Sequence, residues 1–129
     1  MKRYLAAVLA AAALAASVGG AYASTLKHPT RFVQFKLQTS SGNRTFSGQI
    51  DSSTSNCVKG RTVKLIRKSN GNQKTLGKDN TSSKGKFSIA LSSGQVKNGS
   101  YYAKVGTKKY DNDQKECESA QSGTIKVSS

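Results

Sequence analysis

The chain has 129 residues, and its 21 lysines and arginines against 6 aspartates and glutamates give a net charge of +15 at neutral pH. A charge of this size bears on solubility, adhesion and association rates, and it does not determine the fold. There is no C-x-x-C pair, and the single histidine is His28. The composition therefore argues against thiol or metal-cluster chemistry and against catalysis by a histidine base.

The first 23 residues have the pattern of a secretory signal peptide. Two basic residues follow the initial methionine, residues 4–18 form an apolar run rich in alanine and leucine, and residues 21–23 read Ala-Tyr-Ala. The apolar run of about 15 residues is short for a membrane span of roughly 20. We predict cleavage after residue 23, export of residues 24–129 without membrane insertion, and a net charge lowered from +15 to +13. The alternative is retention as an N-terminal anchor.

Residues 24–30 are polar and contain the only proline, so we predict a linker before one domain of residues 31–129. In that domain apolar and polar residues alternate in seven short segments separated by Gly, Asn and Ser turns, and no 3.6-residue period occurs. The segments are 31–37, 44–50, 62–68, 73–78, 86–91, 100–107 and 123–128. This pattern predicts an all-β, seven-stranded sandwich of immunoglobulin or prealbumin type with almost no helix.

Two of these segments carry more specific predictions. Gly48 interrupts segment 44–50, and a glycine inside a strand indicates a bulge or the close approach of another backbone. Segment 73–78 is weakly apolar and is predicted at a sheet edge, where Lys74 and Lys78 discourage pairing with other chains. The predicted core is Val33, Phe35, Phe46, Ile50, Val63, Leu65, Leu76, Phe87, Ile89, Leu91, Tyr101, Ala103, Val105, Ile125 and Val127.

The two cysteines, Cys57 and Cys117, are predicted to form a disulfide, because an exported protein reaches an oxidising compartment. The bridge ties the start of the central strand to the last third of the chain. It closes a loop of about 60 residues, worth roughly 4 kcal/mol in the chain-entropy model. For a small domain with a stability of about 5 to 15 kcal/mol this is a large share.

Three segments resemble the motifs of a known family. Residues 60–65 read G-R-T-V-K-L, residues 81–87 read T-S-S-K-G-K-F, and residues 99–105 read G-S-Y-Y-A-K-V. In this order they resemble the G-x-x-V-x-L, T-D-x-x-G-x-F and G-x-Y-x-A-x-V motifs of transthyretin-like or carboxypeptidase-regulatory-like (prealbumin-type) sandwich domains. Ser82 stands where the family usually has aspartate. The resemblance implies a structural, adhesive or carbohydrate-associated role and brings no catalytic residues.

Lysines at outward strand positions, with one tyrosine among them, form a candidate binding face. Such a face can bind a polyanion such as nucleic acid, teichoic acid or an acidic polysaccharide. Lysines lack the fork geometry of arginine, so we expect no sequence-specific nucleic-acid recognition. Tyr102 can stack on a sugar ring. An ordinary solvated surface is the favoured interpretation of the lysine-rich face. The candidate residues are Lys64, Lys68, Lys86, Tyr102, Lys104, Lys108, Lys109 and Lys126.

Four of the six acidic residues lie between positions 111 and 118, and three of them offer oxygen ligands for calcium. These weak candidates are Asp111, Asp113 and Glu116. A twelve-residue calcium loop with its central glycine and terminal glutamate is missing, so solvation of the loop is the favoured interpretation. We predict no metal site and no cofactor.

Together these features predict a secreted, monomeric, non-enzymatic module at or beyond the cell surface, with a structural or adhesion-type role and cell-surface polyanions or polysaccharide as partners. The alternative is an extracellular polyanion- or carbohydrate-binding domain that uses the lysine-rich face. An enzyme is disfavoured because the chain has no G-x-S-x-G motif, no Gly-rich phosphate loop and no carboxylate pair placed for acid and base work.

Overall fold

The computed structural model describes residues 25–128, so the predicted signal peptide lies outside the described residues. This part of the chain contains eleven strands, two one-turn 3₁₀ helices and no α-helix, and no helix in it is long and apolar enough to cross a membrane. The strands are β1 (Leu26–His28), β2 (Thr30–Ser40), β3 (Asn43–Ser52), β4 (Thr62–Ser69), β5 (Asn72–Asn80), β6 (Lys86–Ser92), β7 (Gly99–Val105), β8 (Lys108–Tyr110), β9 (Lys115–Cys117), β10 (Ala120–Gln121) and β11 (Ile125–Val127). The 3₁₀ helices are Ser55–Cys57 and Ser93–Gln95.

Two antiparallel sheets form the sandwich, and a small third sheet lies beside them. One sheet has the order β2-β3-β6, and the other has the order β10-β7-β4-β5 with β11 also paired to β7. The third sheet, β1-β9-β8, combines parallel and antiparallel pairs. The all-β prediction is confirmed, and each of the seven predicted strands has a counterpart. The number seven is wrong for the described residues, because β1, β8, β9 and β10 were not predicted.

Apolar side chains from the inner faces of the two main sheets make the core. Phe46 on β3 stacks on Tyr101 on β7 with ring centroids 4.9 Å apart, which joins the two layers. Ile50 is buried as predicted, and four other predicted residues are partly buried against the core: Phe35, Leu76, Ile125 and Val127. The buried cluster is Phe46, Val63, Leu65, Phe87, Ile89, Leu91, Tyr101, Ala103 and Val105.

A β-bulge in β2 overturns one core prediction. Phe32 lies opposite Ile50, the next pair is Gln34 with Gln49, and Val33 is left over between them. The extra residue shifts the alternation, so Phe32 packs against the core while Val33 is 49% exposed. A prediction that assumes strict alternation of inward and outward residues cannot detect an inserted residue. The buried assignment of Val33 is therefore wrong.

The segment predicted as a linker is part of the folded domain. β1 pairs in parallel with β9, with Leu26 opposite Lys115 and His28 opposite Cys117. Thr30 begins β2 and is buried. A three-residue strand is too short to show a period, and its partner lies near the other end of the chain. The linker prediction for residues 24–30 is wrong over the residues described.

Gly48 lies where another backbone comes close, as its place in the strand predicted. A Cβ added here would lie 2.8 Å from Cζ of Phe87 and closer still to the carbonyl oxygen of Gln34. We expect Gly48→Ala to lower the free energy of unfolding by about 2 kcal/mol, because the surrounding core must shift. Urea unfolding measures this. Gly94→Ala is the control, because its added Cβ meets nothing within 4 Å; equal effects of the two changes would contradict the prediction.

Candidate functional site

A disulfide joins the central strand region to the third sheet. Cys57, at the end of the first 3₁₀ helix, is bonded to Cys117, at the end of β9, with Cα atoms 5.3 Å apart. Both cysteines are fully buried. The predicted bridge is confirmed, and it fixes the end of the sandwich from which β4 starts.

A buried arginine lies beside this disulfide. Arg61 is 2% exposed. Its guanidinium donates four hydrogen bonds, to Thr30 Oγ1 at 3.0 Å, the Cys57 carbonyl at 2.8 Å, the Gly106 carbonyl at 2.6 Å and the Glu118 carbonyl at 3.2 Å. The fork of an arginine therefore joins four separate chain segments, two of which carry the disulfide cysteines or their neighbours.

The charge of Arg61 is balanced by dipoles and not by an acid. Its four acceptors are three carbonyls and a hydroxyl, and the two ion pairs of residues 25–128 do not include it. Burial lowers the pKa of Arg61, because desolvation disfavours the charged form. A guanidinium nevertheless stays protonated in proteins. Sequence reasoning missed this role, and no local sequence pattern indicates it, because the acceptors come from distant segments of the chain.

The outer face of the β5-β4-β7 sheet carries a row of three lysines. Lys64 on β4 lies opposite Lys78 on β5 and opposite Lys104 on β7, and all three are exposed. Residues directly opposite in antiparallel strands have Cβ atoms about 5 Å apart, and like charges placed so are destabilising. Both ion pairs of the described chain lie elsewhere. The fold therefore maintains a concentrated positive charge that does not stabilise it.

A second basic row lies further along the same face. Lys68 is opposite Ser100 on β7, and Ser100 is also opposite Lys126 on β11. Four residues separate Lys64 from Lys68 on β4, and at about 3.3 Å per residue the two rows are about 13 Å apart. Between them lies a row without charge, Thr75, Ile66 and Tyr102.

Each basic row borders a surface depression. The first, which we name the Lys64 depression, has a volume of about 470 Å³ and is lined by Lys64, Lys104, Lys108, Ile66 and Thr75, among others. The second, the Lys68 depression, has a volume of about 370 Å³. Its lining residues are Lys68, Gln73, Ser100, Tyr102, Gln121, Thr124 and Lys126. Both open on the same outer face of the sandwich.

The structure brings most of the candidate lysines together and separates two of them. Lys64, Lys68, Lys104 and Lys126 share the face described above, and Lys108 lies at the border of the Lys64 depression. Two others lie elsewhere, Lys86 on the outside of the β2-β3-β6 sheet and Lys109 in the third sheet. Lys78 joins the first row but was predicted only as a residue that protects an edge.

Tyr102 does not offer an open ring. It lies on the lysine face but is 7% exposed, and its hydroxyl donates to Gln73 Oε1 at 3.1 Å. Stacking on a sugar needs an accessible ring face. The stacking on a sugar ring suggested by its outward strand position is therefore not available to Tyr102.

The acidic candidates do not form a ligand set. Within residues 25–128 no three His, Cys, Asp or Glu side chains lie together in a way that could hold a metal ion. Asp111 instead makes an ion pair of 3.5 Å with Lys115 in the β8-β9 hairpin. The weak calcium candidates Asp111, Asp113 and Glu116 thus lack the geometry for the role. His28 lies in β1, with its Nδ1 3.0 Å from Ser53 Oγ.

Comparisons with protein-family models, with curated proteins and with solved structures find no match to this chain. The fold and the geometry of the lysine face therefore carry the functional argument.

Proposed function

We propose that this protein is an exported, monomeric, non-enzymatic adhesion module that attaches to anionic polymers at the cell surface through the lysine face of β5, β4 and β7. One observation carries the proposal, the direct opposition of Lys64 to Lys78 and Lys104. Like charges in this position cost stability, and a bound polyanion removes that cost while releasing its own counterions.

The side chains around the face suit binding and not catalysis. They are mainly ammonium, hydroxyl and amide groups, which bind oxyanions by charge and hydrogen bonds. Export is supported by the N-terminal signal pattern and by the disulfide, which is typical of oxidising compartments.

We further propose that the sandwich is of the immunoglobulin or prealbumin type and belongs with transthyretin-like or carboxypeptidase-regulatory-like domains. The three motifs lie on β4, on the turn into β6 and on β7. In that turn Ser82 Oγ accepts hydrogen bonds from the backbone N–H groups of Lys84 and Lys86, at 3.3 Å and 3.2 Å. Serine thus takes the part that aspartate has in the family's turn.

A purely structural module is the second candidate. The disulfide and the four hydrogen bonds of Arg61 favour it, because both stabilise the domain without contributing a surface for a ligand. In that case the lysine face is only solvated and no saturable anionic ligand exists.

Heparin chromatography separates the two candidates. We expect the wild-type protein to be retained at about 50 mM salt and released as salt rises. The double variant Lys64→Gln/Lys104→Gln is expected to elute at lower salt. A plot of the logarithm of the binding constant against the logarithm of the salt concentration should have a slope that is smaller by roughly one for each lysine removed.

Lys86→Gln/Lys109→Gln is the matched control, since it removes the same charge from other surfaces. Its elution should change much less.

Lys64→Gln should also raise the free energy of unfolding by about 0.5 kcal/mol, because a repulsion between opposed lysines is removed. Absence of retention, or equal shifts for the two double variants, would contradict binding through this face.

A further inference from the structure

We propose that the ligand is a linear, non-aromatic polymer with sulfate or phosphate ester groups, and that one chain occupies the Lys64 depression and the Lys68 depression at once. This inference rests on the proposed function and specifies its ligand. The juxtaposition that carries it is two basic depressions on one sheet face; the uncharged row between the two lysine rows contributes Ile66 and Thr75 to the first and Tyr102 to the second.

The spacing of the depressions requires an extended ligand. Lys64 and Lys68 lie on the same strand, and their rows are about 13 Å apart. A single sulfate or phosphate group can meet the lysines of one row only. A chain that runs along β4 meets both rows in succession, because the two depressions open on the same side of the sheet.

The chemistry of each depression suits a tetrahedral oxyanion. Lysine is a point charge with three donors and imposes no planar, bidentate geometry on its partner. Hydroxyl and amide groups lie beside the lysines and can bond the remaining oxygens or the hydroxyl groups of a polymer backbone. These groups belong to Thr62, Thr75 and Thr107 in the Lys64 depression and to Gln73, Gln121 and Thr124 in the Lys68 depression.

The uncharged row between the two lysine rows indicates the kind of polymer backbone that crosses it. Ile66 is 8% exposed and Tyr102 is 7% exposed, so the row presents no open ring, and its exposed member is the hydroxyl-bearing Thr75. Proteins that bind single-stranded nucleic acid without sequence preference combine a basic groove with aromatic rings on which bases stack. The lysine face has the first property without the second, which favours a glycan or polyol backbone over a chain of bases.

If one ligand chain occupies both depressions, the binding affinity should depend on the length of the ligand. A fragment that reaches one depression binds weakly, and a fragment that reaches both makes the second contact intramolecular, at an effective concentration in the mM range. We expect an affinity gain of about a hundredfold between these lengths. A uniform basic surface would show only a gradual increase.

The test uses calorimetric titration with size-defined heparin fragments, from disaccharide to decasaccharide, with short and long inorganic polyphosphate, and with a single-stranded oligonucleotide. The wild-type protein should show a steep rise in affinity at one fragment length. Lys64→Gln/Lys104→Gln and Lys68→Gln/Lys126→Gln should each remove that rise. Lys86→Gln/Lys109→Gln should keep it, and urea unfolding of every variant confirms that it is folded.

Each outcome decides a separate point. In one outcome, long fragments bind without a steep rise of affinity with length, and the two lysine pairs have independent effects. This result overturns the two-site inference and leaves the proposed function standing. Failure to bind any fragment overturns both. Tighter binding of a single-stranded oligonucleotide than of a heparin fragment of equal charge overturns the non-aromatic assignment. A steep rise with heparin supports the inference with sulfate as the anionic group. A steep rise with polyphosphate alone points to phosphate and overturns the glycan or polyol backbone.

Discussion

Replacing both cysteines with alanine is expected to lower the free energy of unfolding by about 4 kcal/mol, because the bridge spans 60 residues of sequence and restricts the unfolded chain. Alanine is preferred to serine, since Cys57 and Cys117 are fully buried and a hydroxyl there would need a new partner. Urea unfolding of the double variant against the oxidised wild type measures the difference. For a small domain this is a large part of the total stability.

Reduction of the wild-type protein separates the effect of losing the bridge from the effect of losing the two buried sulfur atoms. It breaks the same bridge without removing sulfur atoms, so its effect should approach that of the double variant. The variant must be unaffected by reductant. A loss below about 1 kcal/mol in both experiments would show that the hydrogen bonds around the bridge hold this end of the sandwich without it.

Arg61→Met is expected to lower the free energy of unfolding by about 3 kcal/mol. Methionine fills a similar volume but leaves the Cys57 carbonyl and the Thr30 hydroxyl without their donor in the buried part of the network. The part-buried carbonyls of Gly106 and Glu118 also lose their donor. A buried acceptor without a partner costs about 1 to 3 kcal/mol, and part of this is offset because no charge has to be desolvated. Arg61→Lys should also be destabilising, since an ammonium cannot reach four oxygens on different segments.

The matched control for Arg61 is Arg31→Met. Arg31 makes an exposed ion pair with Asp51 at 3.1 Å, and such pairs contribute about 0 to 1 kcal/mol. Equal free energies of unfolding for Arg61→Met and Arg31→Met would contradict the prediction. They would mean that the cost of desolvating the guanidinium equals the stabilisation from its hydrogen bonds. A double-mutant cycle between Arg61→Met and the cysteine variant should show non-additivity, because Arg61 bonds the carbonyl of Cys57.

Local periodicity was enough to predict much of the core and not enough to predict its exceptions. Val63 and Leu65 alternate with exposed neighbours, and the same pattern placed Phe87 and Ile89 inside. Val33 fails because a bulge inserts one residue, which depends on the pairing of β2 with β3 and not on the sequence of β2 alone.

The candidate site was predictable residue by residue but not as an arrangement. The strand pattern predicted that Lys64 and Lys104 point outward. It did not predict that they lie opposite each other, because β7 pairs with β4 while β5 and β6 come between these two strands in the chain. The same sheet order places Lys78 in the row. Arg61 was missed because a charged side chain in a basic protein is expected in water, and only the positions of the surrounding carbonyls show that it is buried.

The absence of any carboxylate among the acceptors of Arg61 bears on acid tolerance. Ion pairs in protein interiors weaken in acid as their carboxylates take up protons. The oxygens that accept from Arg61 do not titrate and its guanidinium stays protonated, so this network loses no hydrogen bond in acid. The hydrogen bonds that Arg61 makes beside the disulfide should therefore persist in acid solution.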